Sequence, residues 1–158
     1  DLKAWYYDNL RSGRRYWSDI VKSCGGKPGD SRAIDEEYRK RSPVHYLRNA
    51  KGRVRLQIAT GITDGHSGSV PISHSLLAFN EVADAKDRIG LKEIAFMTRE
   101  ARLPDVLERA APDPSFGDKQ PIFRRSSATA AVTIFDGGHE IIPAAAIAWM
   151  EGLHAERK

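Results

Sequence analysis

Two short loops carry the side chains in this sequence best suited to chemistry. Gly61-Ile62-Thr63-Asp64-Gly65-His66-Ser67-Gly68-Ser69 presents a carboxylate at Asp64. Asp136-Gly137-Gly138-His139-Glu140 presents an imidazole at His139. Each loop comes after an apolar run and precedes a helix signal. A carboxylate that accepts a hydrogen bond from one imidazole nitrogen fixes the ring's tautomer, and the other nitrogen is then free to take a proton from a serine or cysteine. Asp64 and His139 are therefore the expected acid and general base of a nucleophilic relay. Asp136 is a second acid near His139, and the residues alone leave Asp64 and Asp136 both open as its orienting partner. Asp64 as a plain loop-capping residue is open as well.

The relay needs a nucleophile, and none of the candidates here is satisfactory. Gly65-His66-Ser67-Gly68-Ser69 departs from a G-x-S-x-G elbow only at its last position. A serine three residues after the acid could hardly be that acid's distant client, so the segment reads as a glycine-rich turn. Cys24 falls on an apolar helical stripe and reads as a buried structural thiol. Asp64, His66, His74, His139 and Glu140 match no strong zinc spacing such as H-E-x-x-H, so neither a metal nor a cofactor is expected. The nucleophile is expected to lie outside this chain.

The elements that must position the two loops are legible in order. Leu2, Trp5, Tyr6, Tyr7 and Leu10 form an aromatic-rich helix that breaks at Ser12-Gly13. Trp17, Ile20, Val21 and Cys24 share one helical face, which Gly25-Gly26 closes. Trp5, Trp17 and Trp149 are expected as core anchors. Ser31 caps a charged helix that runs to Arg41, before Ser42-Pro43. Arg53–Thr60 is a strand, and Ser69 as N-cap with Pro71 near the first turn starts the helix behind the acid loop. Ile72, Leu76, Phe79 and Ala83 form its inward face. Ile89–Arg102 is helical, and residues 111–117 are irregular. Ile122–Arg125 is a short strand that hairpins onto 131–135. Ala131–Phe135 is a buried strand that delivers His139 to the rim of a sheet, and Pro143 begins the last helix. Open α/β sheets keep their ligands at such rims. The fold class is α/β, with a helical segment over 1–50 and strand-loop-helix units over 51–158.

Composition sets the outer bounds. The chain has 158 residues, 41% hydrophobic and 29% charged, the makeup of one globular domain. No apolar run is long enough to span a bilayer, and the chain opens without a signal peptide. It starts at Asp1-Leu2 rather than at Met, so it is expected to be processed or cut from something longer, and no compartment is assigned. A single cysteine excludes an internal disulfide. Net charge is uneven: +7 over residues 1–55 and −3 over the remainder. The basic half reads as a solvated helical face. No zinc-finger or RRM signature is present, and neither nucleic acid nor a membrane is expected as a partner.

Several of these residues resemble the last two strand-loop-helix units of a prolyl-oligopeptidase-like α/β hydrolase. The likeness rests on Val54–Leu76 and Val132–Pro143. Arg41-Ser42-Pro43-Val44 is similar to the segment that family places before its penultimate strand. Val70-Pro71 and Ser75 are similar to the residues that family carries after its triad acid. The resemblance puts Asp64 at the acid and His139, after Gly138, at the histidine of a Ser-Asp-His triad. The order acid then histidine agrees with that layout, in which the nucleophile comes first. Two features depart from it. The loop from Asp64 to Val70 is longer than usual, and both the nucleophile elbow and the oxyanion-hole loop are absent. The resemblance thus implies the C-terminal part of a serine hydrolase, peptidase or esterase, built on a fragment of a doubly wound, mostly parallel sheet. Its substrate would be a peptide or an ester, and the fragment alone would be inactive. The alternative is a non-catalytic binding or assembly module on a similar scaffold. Two or three strands bury little by themselves. The strand at 54–60 is therefore expected to rely on a missing N-terminal half, or to self-associate through its open edge.

Overall fold

The computed structural model describes residues 1–155. It is a mixed α/β fold with the order α1 (Leu2–Arg11), α2 (Tyr16–Cys24), α3 (Arg32–Lys40), β1 (Leu56–Gly61), α4 (Ser73–Val82), α5 (Leu91–Glu100), β2 (Pro121–Ser127), β3 (Ala130–Phe135) and α6 (Pro143–Ala155). The sheet order is β1-β3-β2. β1 pairs with β3 in parallel, from Leu56 opposite Ala130 to Gly61 opposite Phe135. β2 runs antiparallel to β3, with an irregularity between Pro121 and Phe123. The expected hairpin onto 131–135 is therefore present.

Strand β3 lies between two neighbours and is buried along most of its length, which is why its sequence is apolar except for Thr133, whose hydroxyl accepts from Gln57. Val132 and Ile134 face the main core with Leu76, Phe79, Met97 and Phe123. Phe135 packs against Phe116, their ring centres 6.1 Å apart. Helices α4 and α5 supply the helical side of that core.

The N-terminal helices form a second core of Tyr6, Ile20, Cys24 and Tyr38, with Trp5 and Trp17 against it. Gly25 closes α2 in the left-handed conformation (φ 81°), and the Ser31 hydroxyl accepts from the Ile34 amide at the start of α3. Ser42 ties the first and third helices. Its hydroxyl donates to the Tyr38 carbonyl at 2.7 Å and accepts from the Leu2 amide at 2.8 Å.

Two expectations are corrected. Helix α4 starts at Ser73, not beside Ser69: Ile72 is its N-cap and no side chain caps it. The Ser69 carbonyl is taken instead by the Trp5 indole. Trp149 joins neither core. It lines a groove of about 830 Å³ between α6 and the far face of the sheet, with Gln57, Ala59, Ala131, Thr133 and Ala145. Helix α6 has no buried residue, and Ile147 and Met150 are exposed.

Candidate functional site

Parallel pairing brings the C-terminal ends of β1 and β3 side by side, and both loops leave from there. The loops are then stitched together. The Ile62 amide donates to the Phe135 carbonyl and the Thr63 amide to the Gly137 carbonyl, each at 3.0 Å. The Thr63 hydroxyl donates to that same Gly137 carbonyl at 2.8 Å. The approach is so close that a side chain at Gly61 would put its Cβ 2.3 Å from both the Gly137 and Gly138 carbonyl oxygens. Glycine is required there by crowding against backbone that cannot yield.

Asp64 and His139 meet across this seam. The His139 Nδ1 lies 2.8 Å from Asp64 Oδ2. The carboxylate is buried, with 9% of its side chain exposed, whereas the imidazole is 59% exposed. With Nδ1–H donating to the carboxylate, Nε2 carries the lone pair, and His139 lines an open cleft of about 700 Å³. Asp136, the second acid of the sequence reading, lines that cleft as well, with Thr63, Ser67, Lys119 and Glu140 among its other walls. A buried acid behind an accessible imidazole is suited to drawing a proton from a group brought to Nε2 and returning it to a leaving group.

Gly68 lies over the pair. A Cβ there would sit 2.3 Å from Asp64 Oδ1 and 2.5 Å from His139 Cβ. Oδ1 itself is buried and accepts no hydrogen bond among the described residues. On the other loop, Glu140 accepts from the Gly138 amide at 3.0 Å and lies 3.4 Å from Lys119. The amide bond, and then the Lys119 ammonium, hold its carboxyl below the usual range.

Asp136 and Ser67 line the same cleft but do not bond to the imidazole, and His66, His74 and Cys24 lie outside it. Asp136 is exposed, and it is Asp64 that contacts the imidazole. Ser67 bonds to Thr63, its hydroxyl 3.1 Å from Thr63 Oγ1 and 3.3 Å from the Thr63 carbonyl. His66 Nε2 is 2.9 Å from the Thr98 carbonyl, and His74 Nε2 is 3.3 Å from Asp8. Burial lowers the His74 pKa against the pull of Asp8, which favours the neutral ring. Cys24 is buried, which pushes its thiol up and away from nucleophile chemistry.

No family model, curated protein or solved structure matches the chain. The geometry therefore stands on its own. Thr63, Gly68 and the Lys119–Glu140 pair are parts of the site that sequence reasoning misses, since Glu140 stands out there only as a metal ligand. A glycine beside the acid is the one available signal for Gly68, and it reads equally well as ordinary turn chemistry.

Proposed function

We propose that this chain supplies the acid and the histidine of a Ser-Asp-His triad in a serine hydrolase, a peptidase or esterase of the prolyl-oligopeptidase-like kind. Asp64 orients the imidazole, and His139 is general base and then general acid. The observation that carries the reading is the 2.8 Å contact between a buried carboxylate and an exposed imidazole at the paired ends of parallel strands. The nucleophile and oxyanion hole belong to sequence outside this chain, and the substrate is a peptide or an ester.

In this reading the sheet is a fragment of a doubly wound, mostly parallel one, continued on the free side of β1. Three features support that placement. β1 is an edge of the described sheet, α6 is apolar without burying a residue, and the groove beneath α6 is wide and has Trp149 and Met150 on its wall. A missing N-terminal half would cover all three. Self-association through β1 is the route open to the isolated chain.

The test begins with the reading frame preceding Asp1. A strand, a G-x-S-x-G elbow and a helix are expected there, and their absence favours the assembly module. A protein containing both parts should label with a fluorophosphonate probe, and His139→Ala should abolish the labelling. The isolated chain should give no burst with a p-nitrophenyl ester. A burst that His139→Ala removes would overturn the assignment and make Ser67 the nucleophile.

A further inference from the structure

The loop after Asp64 depends on a distant part of the chain. Between Asp64 and α4, the carbonyls of Gly65, His66 and Ser69 accept no backbone hydrogen bond among the described residues. Each is met instead by the N-terminal helical segment. The Arg14 guanidinium donates through one nitrogen to the Gly65 carbonyl at 2.9 Å and to the His66 carbonyl at 3.4 Å. The Trp5 indole donates to the Ser69 carbonyl at 2.8 Å. Gly68 lies between these anchor points and is the residue packed on both Asp64 Oδ1 and His139 Cβ.

From this arrangement we infer that Arg14 is a positioning residue for the Asp64–His139 pair. It holds the acid loop down by two carbonyls, and the loop in turn holds Gly68 against the carboxylate and the imidazole. This inference rests on the hydrolase reading for its consequence in catalysis, but not for its geometry. It also gives the unusual length of the loop a purpose. The residues after Asp64 reach the N-terminal helical segment, where Arg14 and Trp5 grip them. Arginine suits the task because it keeps its charge at every accessible pH and presents several donors from one rigid plane. The second core gives it a fixed base, since Trp5 stacks on Tyr16 with ring centres 5.9 Å apart.

The experiment reads the His139 imidazole directly, by nitrogen-15 NMR of the whole chain. In the parent, the Nδ1–H tautomer bonded to Asp64 should predominate. Arg14→Ala should shift the ring toward the Nε2–H tautomer that a free imidazole favours, and Arg14→Lys should restore part of the parent signal. Trp5→Phe keeps the stacking ring but removes the donor to Ser69, so it should produce a smaller shift of the same sign. That second variant decides the matter if Arg14→Ala fails to fold. Parent-like tautomer signals in folded Arg14→Ala, or in Trp5→Phe where Arg14→Ala does not fold, would overturn the proposal. The hydrolase reading fails separately. A protein that never labels with fluorophosphonate sinks the triad, yet leaves a tautomer shift in Arg14→Ala as proof of positioning.

Discussion

Gly68→Ala is the sharpest perturbation of the candidate site. The residue is not in the left-handed region, so alanine brings no backbone strain. Its only effect is to place a methyl group 2.3 Å from Asp64 Oδ1 and 2.5 Å from His139 Cβ. Both distances are far inside van der Waals contact, and the carboxylate is buried and held by His139. Either the carboxylate and imidazole part or the loop lifts. Inserting one methyl into a filled site costs about 1–3 kcal/mol. A hydrogen bond to a charged group contributes roughly 1.5–3 kcal/mol, so its loss and the overpacking are comparable alternatives rather than a sum. For a chain of this size a loss of 1–3 kcal/mol lowers the melting temperature by roughly 2–12 °C. Gly152→Ala in α6 is the control. Nothing lies within 4 Å of its added methyl, and it should be neutral or slightly stabilising, by up to about 1 kcal/mol. The assay pairs thermal unfolding with nitrogen-15 NMR of His139. Loss of the Nδ1–H signal together with a lower melting temperature is expected. A Gly68→Ala protein that melts with the parent and keeps the parent tautomer would refute the close packing from which the argument starts.

Groups away from the cleft give three further expected outcomes. Ser127→Ala removes a buried hydroxyl that accepts from the Asp84 amide and donates to Asp87, both at 2.7 Å; urea unfolding should register a loss of about 1–3 kcal/mol. Burial of the Tyr38 phenol pushes its pKa up to about 12. The folded state therefore keeps a proton that the unfolded chain releases from about pH 10, and stability should fall between pH 10 and 12 by up to about 2–3 kcal/mol, a limb that Tyr38→Phe flattens. Hydrogen bonds from Ser115 and then Arg124 hold the Asp113 carboxyl down at about 2. Its contribution is present above the unfolded value near 3.8 and is lost as pH falls through 2, at most about 2 kcal/mol, and Asp113→Asn should remove that acid dependence in a pH series of melts.

Legibility in the sequence divides along the range of the interactions. Ala131–Phe135 is readable as a strand because burial leaves a short run that is apolar but for Thr133. The stripe of Trp17, Ile20, Val21 and Cys24 is readable because a helix writes its period into neighbouring residues. Asp64 and His139 are readable as candidates, since the loop chemistry around each is local. The choice of Asp64 over Asp136 is not, because it depends on the pairing of strands that lie 74 residues apart in the register from Leu56 to Ala130. Ser69 misleads for the same reason. Its type suits a helix cap, but its carbonyl answers to Trp5, 64 residues away. Arg14 looks like one more charge on a basic surface. Its role at Gly65 becomes visible only when the second core docks. Neither Gly137 nor Gly138 has a positive φ, so their place in the loop does not come from left-handed backbone. Gly137 is needed because a Cβ would strike the Phe135 ring and the Glu140 carboxylate. Trp149 is expected in a core on side-chain size alone, and size does not say that it lines a groove instead.

The two borders of the sheet are unlike. β2 ends it with a proline, a register irregularity and two arginines whose guanidiniums lie over Phe116 and Phe123. β1 ends it with Leu-Gln-Ile-Ala-Thr-Gly, which carries no charge and no proline. Irregular, cationic borders repel a further ribbon, and plain ones invite it. In the proposed reading, two isolated copies joined along β1 would use up both plain borders, and the pair would close at a twofold instead of growing into a filament.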